Sequence, residues 1–252
     1  MCYPDGARPP LPPIRGGAGD QGDLVLTAAD GNRFLAYAAR ATQPTGAGMV
    51  VLPDVRGLYS FYKELAQRFA EAGVDAVAID YFGRTAGLGD RGDAFDAMLH
   101  TKQTTPDGID ADVAAAVAYL RSDKGGAVRS VFTVGFCFGG GNSWRQSASQ
   151  PGLAGAIGFY GVPARVRDLV LRMKAPLLLL VAGADHTPQE EFFAFDRELN
   201  AAHLPHRMVV FEGAPHSFFD RTFEQHRNAS AEAWRQMLDF IQSPSRENVP
   251  AG

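Results

Sequence analysis

An internal cysteine stands in the run Gly135-Phe136-Cys137-Phe138-Gly139-Gly140-Gly141, just beyond the apolar stretch Val131-Phe-Thr-Val134. The form G-x-C-x-G, between an apolar run and a glycine-led amphipathic one, describes a sharp turn from strand to helix. Such a turn presents its central side chain, and it needs glycines where any Cβ would clash. The start of the following helix stabilises an anion and so draws a thiol toward the reactive thiolate. The alternative is a buried cysteine at a strand end beside a glycine-rich turn. A nucleophile also needs a base and an acid that orients it, and two later residues have the right types. Asp185 lies in Ala182-Gly-Ala-Asp185-His186-Thr-Pro188, after an apolar run, and His216 lies in Glu212-Gly-Ala-Pro-His216-Ser217-Phe218, after another. The separations, 48 and 31 residues, each leave room for a strand–helix unit. Taken alone, Asp185 fits a helix cap or turn equally well.

The surrounding pattern supplies elements able to bring the three together. Strand-like apolar runs cover 24–26, 33–38, 48–53, 74–79, 128–134, 153–159, 176–181 and 206–211. Helical spacing covers 59–72, 106–121, 140–149, 166–173, 188–202 and 228–241. This alternation predicts an α/β fold with a mostly parallel, eight-stranded sheet and helices on both faces. Such sheets place sites at the C-terminal ends of their strands, where Cys137, Asp185 and His216 are all expected. The first two runs, joined through Ala29-Asp-Gly-Asn32, read as an antiparallel hairpin at the sheet edge. Residues 84–103 lack periodicity and read as a long loop. The expected organisation is a Pro/Gly-rich arm over 1–21, laid over the domain or mobile, then one domain over 22–242 and a tail over 243–252.

The chain has 252 residues, 46% apolar and 21% charged, with a net charge of −4. Those proportions exclude a disordered chain and suit one large core. The cations are scattered rather than clustered, so no nucleic-acid partner is expected. Apolar runs stop near ten residues, short of the roughly 20 that span a bilayer, so no membrane association is expected. The proline- and charge-rich start lacks the apolar segment of a secretory signal, and a cytoplasmic location is expected. Cys2 and Cys137 are the two cysteines, too few for a disulfide framework or a structural zinc site. Of the six histidines, His186 reads as a surface neighbour of Asp185. His203 and His206 lack a third ligand, so no metal site is expected.

Together, G-F-C-F-G-G, A-G-A-D-H-T-P and A-P-H-S-F resemble the dienelactone hydrolase family of the α/β-hydrolase superfamily. The similarity runs from about Asp23 to Ile241 and includes Val51-Leu-Pro-Asp54-Val-Arg-Gly57, Ile79-Asp-Tyr-Phe-Gly-Arg84 and the stretch from Asp110 to Leu120. The resemblance implies hydrolysis of a lactone or activated enol-type ester through a cysteine acyl-enzyme, with no cofactor or metal. By that resemblance Cys137 is the nucleophile, His216 the general base and acid, and Asp185 the residue that orients the imidazole. The N–H groups of Phe138 and Val55 would form the oxyanion hole. Asp54 stands where the family has a glutamate. Arg84 resembles the first of two arginines that bind a substrate carboxylate. The second would fall in Phe219-Asp220-Arg221, where Asp220 takes the matching place and Arg221 is displaced by one residue. Tyr59, Phe61, Tyr62, Tyr81, Phe82, Phe218 and Phe219 crowd the same neighbourhood, and Tyr59, Phe82 and Phe218 are expected to line a substrate pocket. A larger or less charged ester than a small anionic lactone therefore fits. The alternatives are a general carboxylesterase or thioesterase of the same fold and a non-catalytic ligand-binding protein on that scaffold. The expected partner is a small-molecule ester or lactone, and the expected assembly a monomer or homodimer.

Overall fold

The computed structural model describes residues 3–89, 91–92 and 95–244. Strands β1 (Ala18–Thr27) and β2 (Arg33–Ala41) form the expected hairpin, paired antiparallel with Leu24 opposite Ala36. Six further strands follow: β3 (Ala47–Leu52), β4 (Asp75–Ile79), β5 (Ser130–Phe136), β6 (Gly155–Phe159), β7 (Leu177–Ala184) and β8 (His206–Pro215). They make one sheet in the order β1-β2-β4-β3-β5-β6-β7-β8, parallel from β4 onward. Every residue of β3, β4 and β6 is buried, as strands covered on both faces require.

Among the described residues, six helices lie between strands, α1 (Ser60–Glu71), α2 (Gly83–Ala86), α3 (Ala97–Thr101), α4 (Pro106–Arg121), α5 (Phe138–Ser149) and α6 (Gln189–Ala201), and α7 (Arg227–Gln242) follows the last strand. Alternate strand residues feed two cores. Met49, Val51, Phe132, Leu178 and Leu180 meet Phe61, Leu65 and Phe69 of α1 and Trp234 and Phe240 of α7 on one face. Val50, Leu52, Leu177 and Leu179 meet Val113 and Val117 of α4, Trp144 of α5 and Phe195 of α6 on the other. No helix among the described residues is long and apolar enough to cross a membrane.

Four expectations change in detail. The predicted helix over 166–173 is two 3₁₀ turns, Pro163–Arg165 and Arg167–Arg172, started by a proline and stopped where Ser147 receives the N–H of Lys174. The loop over 84–103 contains the short helices α2 and α3, whose few residues are too short to show a period. The arm boundary at 21 moves earlier, because β1 begins at Ala18. Ala18, Asp20, Gln21 and Gly22 pair through their backbones, with the register shifting between Ala18 and Asp20, and need no apolar pattern to do so. The same arm is docked: the N–H of Arg221 donates to the carbonyl of Arg8, and Trp234 Nε1 donates to that of Pro10. Most of the tail over 243–252 lies outside the described residues.

Candidate active site

Cys137 occupies the single residue between β5 and α5, with φ 56° and ψ −111°. Few residues other than glycine adopt that conformation, and holding it costs about 1–3 kcal/mol. The neighbours enforce it. A Cβ on Gly135 would lie 1.8 Å from the carbonyl oxygen of Gly139, and one on Gly139 would lie 2.2 Å from that of Leu52. Only glycines let α5 turn back this closely against β3 and β5. The N–H of Cys137 donates to the carbonyl of Phe159 at the end of β6, 3.1 Å away, which fixes the turn to the next strand. The thiol stands half-buried at the start of the 12-residue helix α5.

Asp185 and His216 reach the same place through strand register. The β7–β8 ladder shifts after Ala182 and resumes with Ala184 opposite Pro215, so the next residues, Asp185 and His216, leave the sheet side by side. Ser217, at φ 69°, turns the chain away at once. His216 Nδ1 lies 2.8 Å from Asp185 Oδ2. A carboxylate can only accept there, so Nδ1 carries the proton and Nε2 is the atom available to the Cys137 thiol, with which His216 also hydrogen-bonds. The other oxygen of Asp185 accepts the N–H of Thr187 at 3.3 Å and faces His186 Nδ1 at 3.0 Å. The turn geometry that fits Asp185 in isolation is thus present alongside its contact with His216.

The electrostatics follow from these contacts. Burial disfavours a charged imidazole, but the Asp185 carboxylate and the Cys137 sulfur outweigh it, and the His216 pKa is pushed up to about 9. Burial also works against the Asp185 charge, yet its hydrogen bond to His216 holds the carboxyl below its usual range. A thiol, an imidazole and a carboxylate in this series can form a thiolate–imidazolium pair at neutral pH. Asp185, His186 and His216 each offer one ligand atom, all within 4.8 Å of one another. The two histidine Nδ1 atoms face different Asp185 oxygens, His216 through a hydrogen bond and His186 as a close contact.

A second loop closes on the turn. Leu52, at the end of β3, pairs with Gly135, and the chain then bends through Asp54. The Asp54 carboxylate is fully buried and accepts the N–H of Arg56 at 2.9 Å, while its own N–H donates to Tyr62 Oη at 3.0 Å. Thr101 Oγ1 donates to the Val55 carbonyl at 3.3 Å. Phe138 is the first residue of α5, so its N–H lies ahead of the helix's own ladder. Tyr81, buried between Asp54, Asp80 and Cys137, is held neutral chiefly by burial and donates to the Pro53 carbonyl at 2.9 Å.

Residues 34–245 match the model of the dienelactone hydrolase family. The chain belongs to this family. A protein of Escherichia coli K12 named "Putative carboxymethylenebutenolidase" is 28% identical over 225 residues, spanning 84% of this chain and 83% of that one. Among solved structures, a dienelactone hydrolase-like promiscuous phosphotriesterase from metagenomic libraries superposes with a TM-score of 0.69 at 22% identity, over 89% of this chain and 98% of that one. A Pyrococcus furiosus esterase superposes with a TM-score of 0.65 at 16% identity, over 92% and 96% of the two chains. At those identities the superpositions carry the α/β-hydrolase fold alone.

The residues that the dienelactone hydrolase pattern links to substrate are dispersed. Arg84 is paired with carboxylates. Its guanidinium is held by Asp30 on the β1–β2 turn and by Asp112 on α4, the latter at 2.8 Å, in a corner where Asn32 also donates to Asp112. Phe82 and Phe218 are fully buried, the first against Phe95 and His100, the second among Phe159, Tyr160 and Phe211, so both support the site from beneath. Tyr59 lies under the Arg56 guanidinium, 3.9 Å away. Arg221 is engaged through its backbone with the arm, and the neighbouring Asp220 is buried. Beside the turn, a cavity of about 320 Å³ is lined by Thr101, Ile109, Phe138, Asn142 and Arg165, with the Arg165 guanidinium 5.6 Å from the Phe138 ring.

Sequence reasoning passed over Tyr160. It sits at the end of β6 with φ 37°, and its ring lies 4.6 Å from that of His216. The available signal was an aromatic placed just beyond a strand adjacent to the Cys137 strand. His186, expected at the surface beside Asp185, is 73% exposed in its side chain, with Nδ1 3.0 Å from an Asp185 oxygen.

Proposed function

We propose that the protein hydrolyses a lactone or activated carboxylic ester through an acyl-enzyme on Cys137. The observation that carries this reading is the series Cys137, His216 and Asp185, with the thiol set on a strained strand–helix turn and the imidazole oriented by a buried carboxylate. The thiolate attacks the substrate carbonyl carbon, and the developing oxyanion is received by the N–H groups of Phe138 and Val55. Collapse breaks the ester C–O bond and leaves a thioester on Cys137, while His216 Nε2 protonates the departing oxygen. A water then adds to the thioester as His216 takes its proton, and the carboxylic acid leaves with the thiolate restored. Sulfur suits substrates with good leaving groups, because a thiolate attacks readily and is itself expelled readily. Asp54, buried at the oxyanion loop, shapes that loop through Arg56. A working thiolate also suits a reducing, cytoplasm-like compartment.

Two observations favour a bulkier and less charged acyl group than a small anionic lactone: Arg84 is paired with Asp30 and Asp112, and the aromatic ring of Tyr160 packs on His216. A panel of enol lactones, aryl esters, alkyl esters and acyl thioesters tests both points. Enol and aryl esters should turn over and alkyl esters should not, and Cys137→Ala should abolish the reaction. Undiminished hydrolysis by Cys137→Ala would refute the reading.

A further inference from the structure

Tyr3 belongs to the arm, ahead of residue 34 where the family match begins, and yet it is 1% exposed, packed in the core behind the site. Its ring stacks on Phe61 with centroids 4.0 Å apart and meets Phe136, the residue before Cys137, edge-on at 6.4 Å. Its hydroxyl hydrogen-bonds that of Tyr160, the residue whose ring packs on His216. The phenol is thus one side chain removed from both Cys137 and His216. Other contacts hold the arm without this ring. Arg56 pairs with Asp5 at 2.9 Å and donates to the Tyr3 carbonyl at 3.3 Å, Arg221 bonds Arg8, and Trp234 bonds Pro10. Truncating the phenol therefore removes the support behind Tyr160 and leaves the arm docked.

We propose that Tyr3 is a specificity-determining residue: its ring backs Tyr160, holds that ring against His216 and so limits the bulk of the group that can approach the Cys137 thiol. This rests on Cys137 being the reacting atom, but its test needs no turnover. The rate of Cys137 alkylation is followed by mass spectrometry of the peptide that contains it, which separates it from Cys2, with iodoacetamide as the small reagent and N-phenylmaleimide as the bulky one. In Tyr3→Ala the bulky-to-small rate ratio should rise by about 10-fold or more, the scale on which pocket volume discriminates. Tyr3→Leu should move it in the same direction, while Tyr3→Phe, which keeps the ring, should stay within about twofold of the wild type. Melting temperatures confirm that each variant is folded, and Tyr3→Leu serves if Tyr3→Ala is not. An unchanged ratio, or equal acceleration of both reagents, would overturn the proposal. A changed ratio in a protein that hydrolyses no ester would leave it standing and remove the hydrolase reading instead.

Discussion

Asp185 and His216 leave the sheet from strand ends paired in register, whereas Tyr3 reaches the same site on an arm docked by side chains and a few backbone bonds. In the first region a ladder of hydrogen bonds fixes two loops relative to each other, and buried strands make slippage costly. In the second, a stacked ring, one hydroxyl pair and the bonds to Arg56, Arg221 and Trp234 do the holding. In the proposed mechanism the sheet sets where Cys137, Asp185 and His216 stand, and in the proposed role of Tyr3 the arm sets how much room they have. Substitutions on the sheet side should change rate, and substitutions on the arm side should change selectivity or stability.

The largest effect expected is on the sheet side. Cys137→Ala should lower kcat for an activated ester by at least about 10³-fold with the melting temperature retained, as measured by steady-state kinetics and calorimetry. Asp185→Asn keeps the shape of the loop but removes the charge that orients and stabilises the His216 imidazolium. It should cost roughly 10²- to 10⁴-fold in kcat. Full activity in either variant would mean that register places these residues without their reacting.

The same pair predicts a pH dependence of stability. The folded-state pKa of His216 is raised from 6.5 to about 9, so its contribution is complete below pH 6.5 and is lost as the pH climbs through about 9. The melting-temperature advantage of the wild type over His216→Gln should therefore shrink between those values, by ~2–4 °C for each kcal/mol lost in a chain of this size. An advantage that grows with pH would contradict the ion pair.

Arg84 offers a sharper comparison, because it lies in a region that the family pattern links to substrate but is bound by carboxylates. Arg84→Ala should destabilise by about 1–3 kcal/mol, since it strands the buried carboxylate of Asp112, and should leave kcat/KM within about threefold. A large rise in KM without loss of stability would return Arg84 to the substrate. The smallest effect belongs to the arm's outer anchor. Asp5→Asn removes the ion pair between the exposed Asp5 and the largely buried Arg56 and should cost about 1 kcal/mol in thermal unfolding, with no change in turnover.

The α/β architecture, its eight strands and the hairpin edge were legible because buried parallel strands and amphipathic helices write their periods locally. The position of Cys137 was legible for a similar reason: glycines at 135 and 139 are demanded by backbone approaches of about van der Waals distance or less. Asp185 and His216 were marked by the ends of apolar runs. The surroundings were not legible, because they depend on contacts between distant parts of the chain. Arg84 matches a local motif, but its partners Asp30 and Asp112 lie 54 and 28 residues away. Tyr3 and Tyr160 are separated by 157 residues, and nothing in a proline-rich arm states which surface it will cover. The 3₁₀ turns of 163–172 show the limit of periodicity itself, since one or two turns of either helix type present nearly the same pattern.

The central claim is that Cys137 carries the acyl group, and acid quenching of the protein during turnover of an aryl ester tests it directly. Peptide mass spectrometry should find the acyl mass on the peptide containing Cys137, at near-stoichiometric level in the pre-steady state, and that adduct should vanish in Cys137→Ala. An acyl group on another residue, or steady hydrolysis with no adduct on Cys137, would contradict the account.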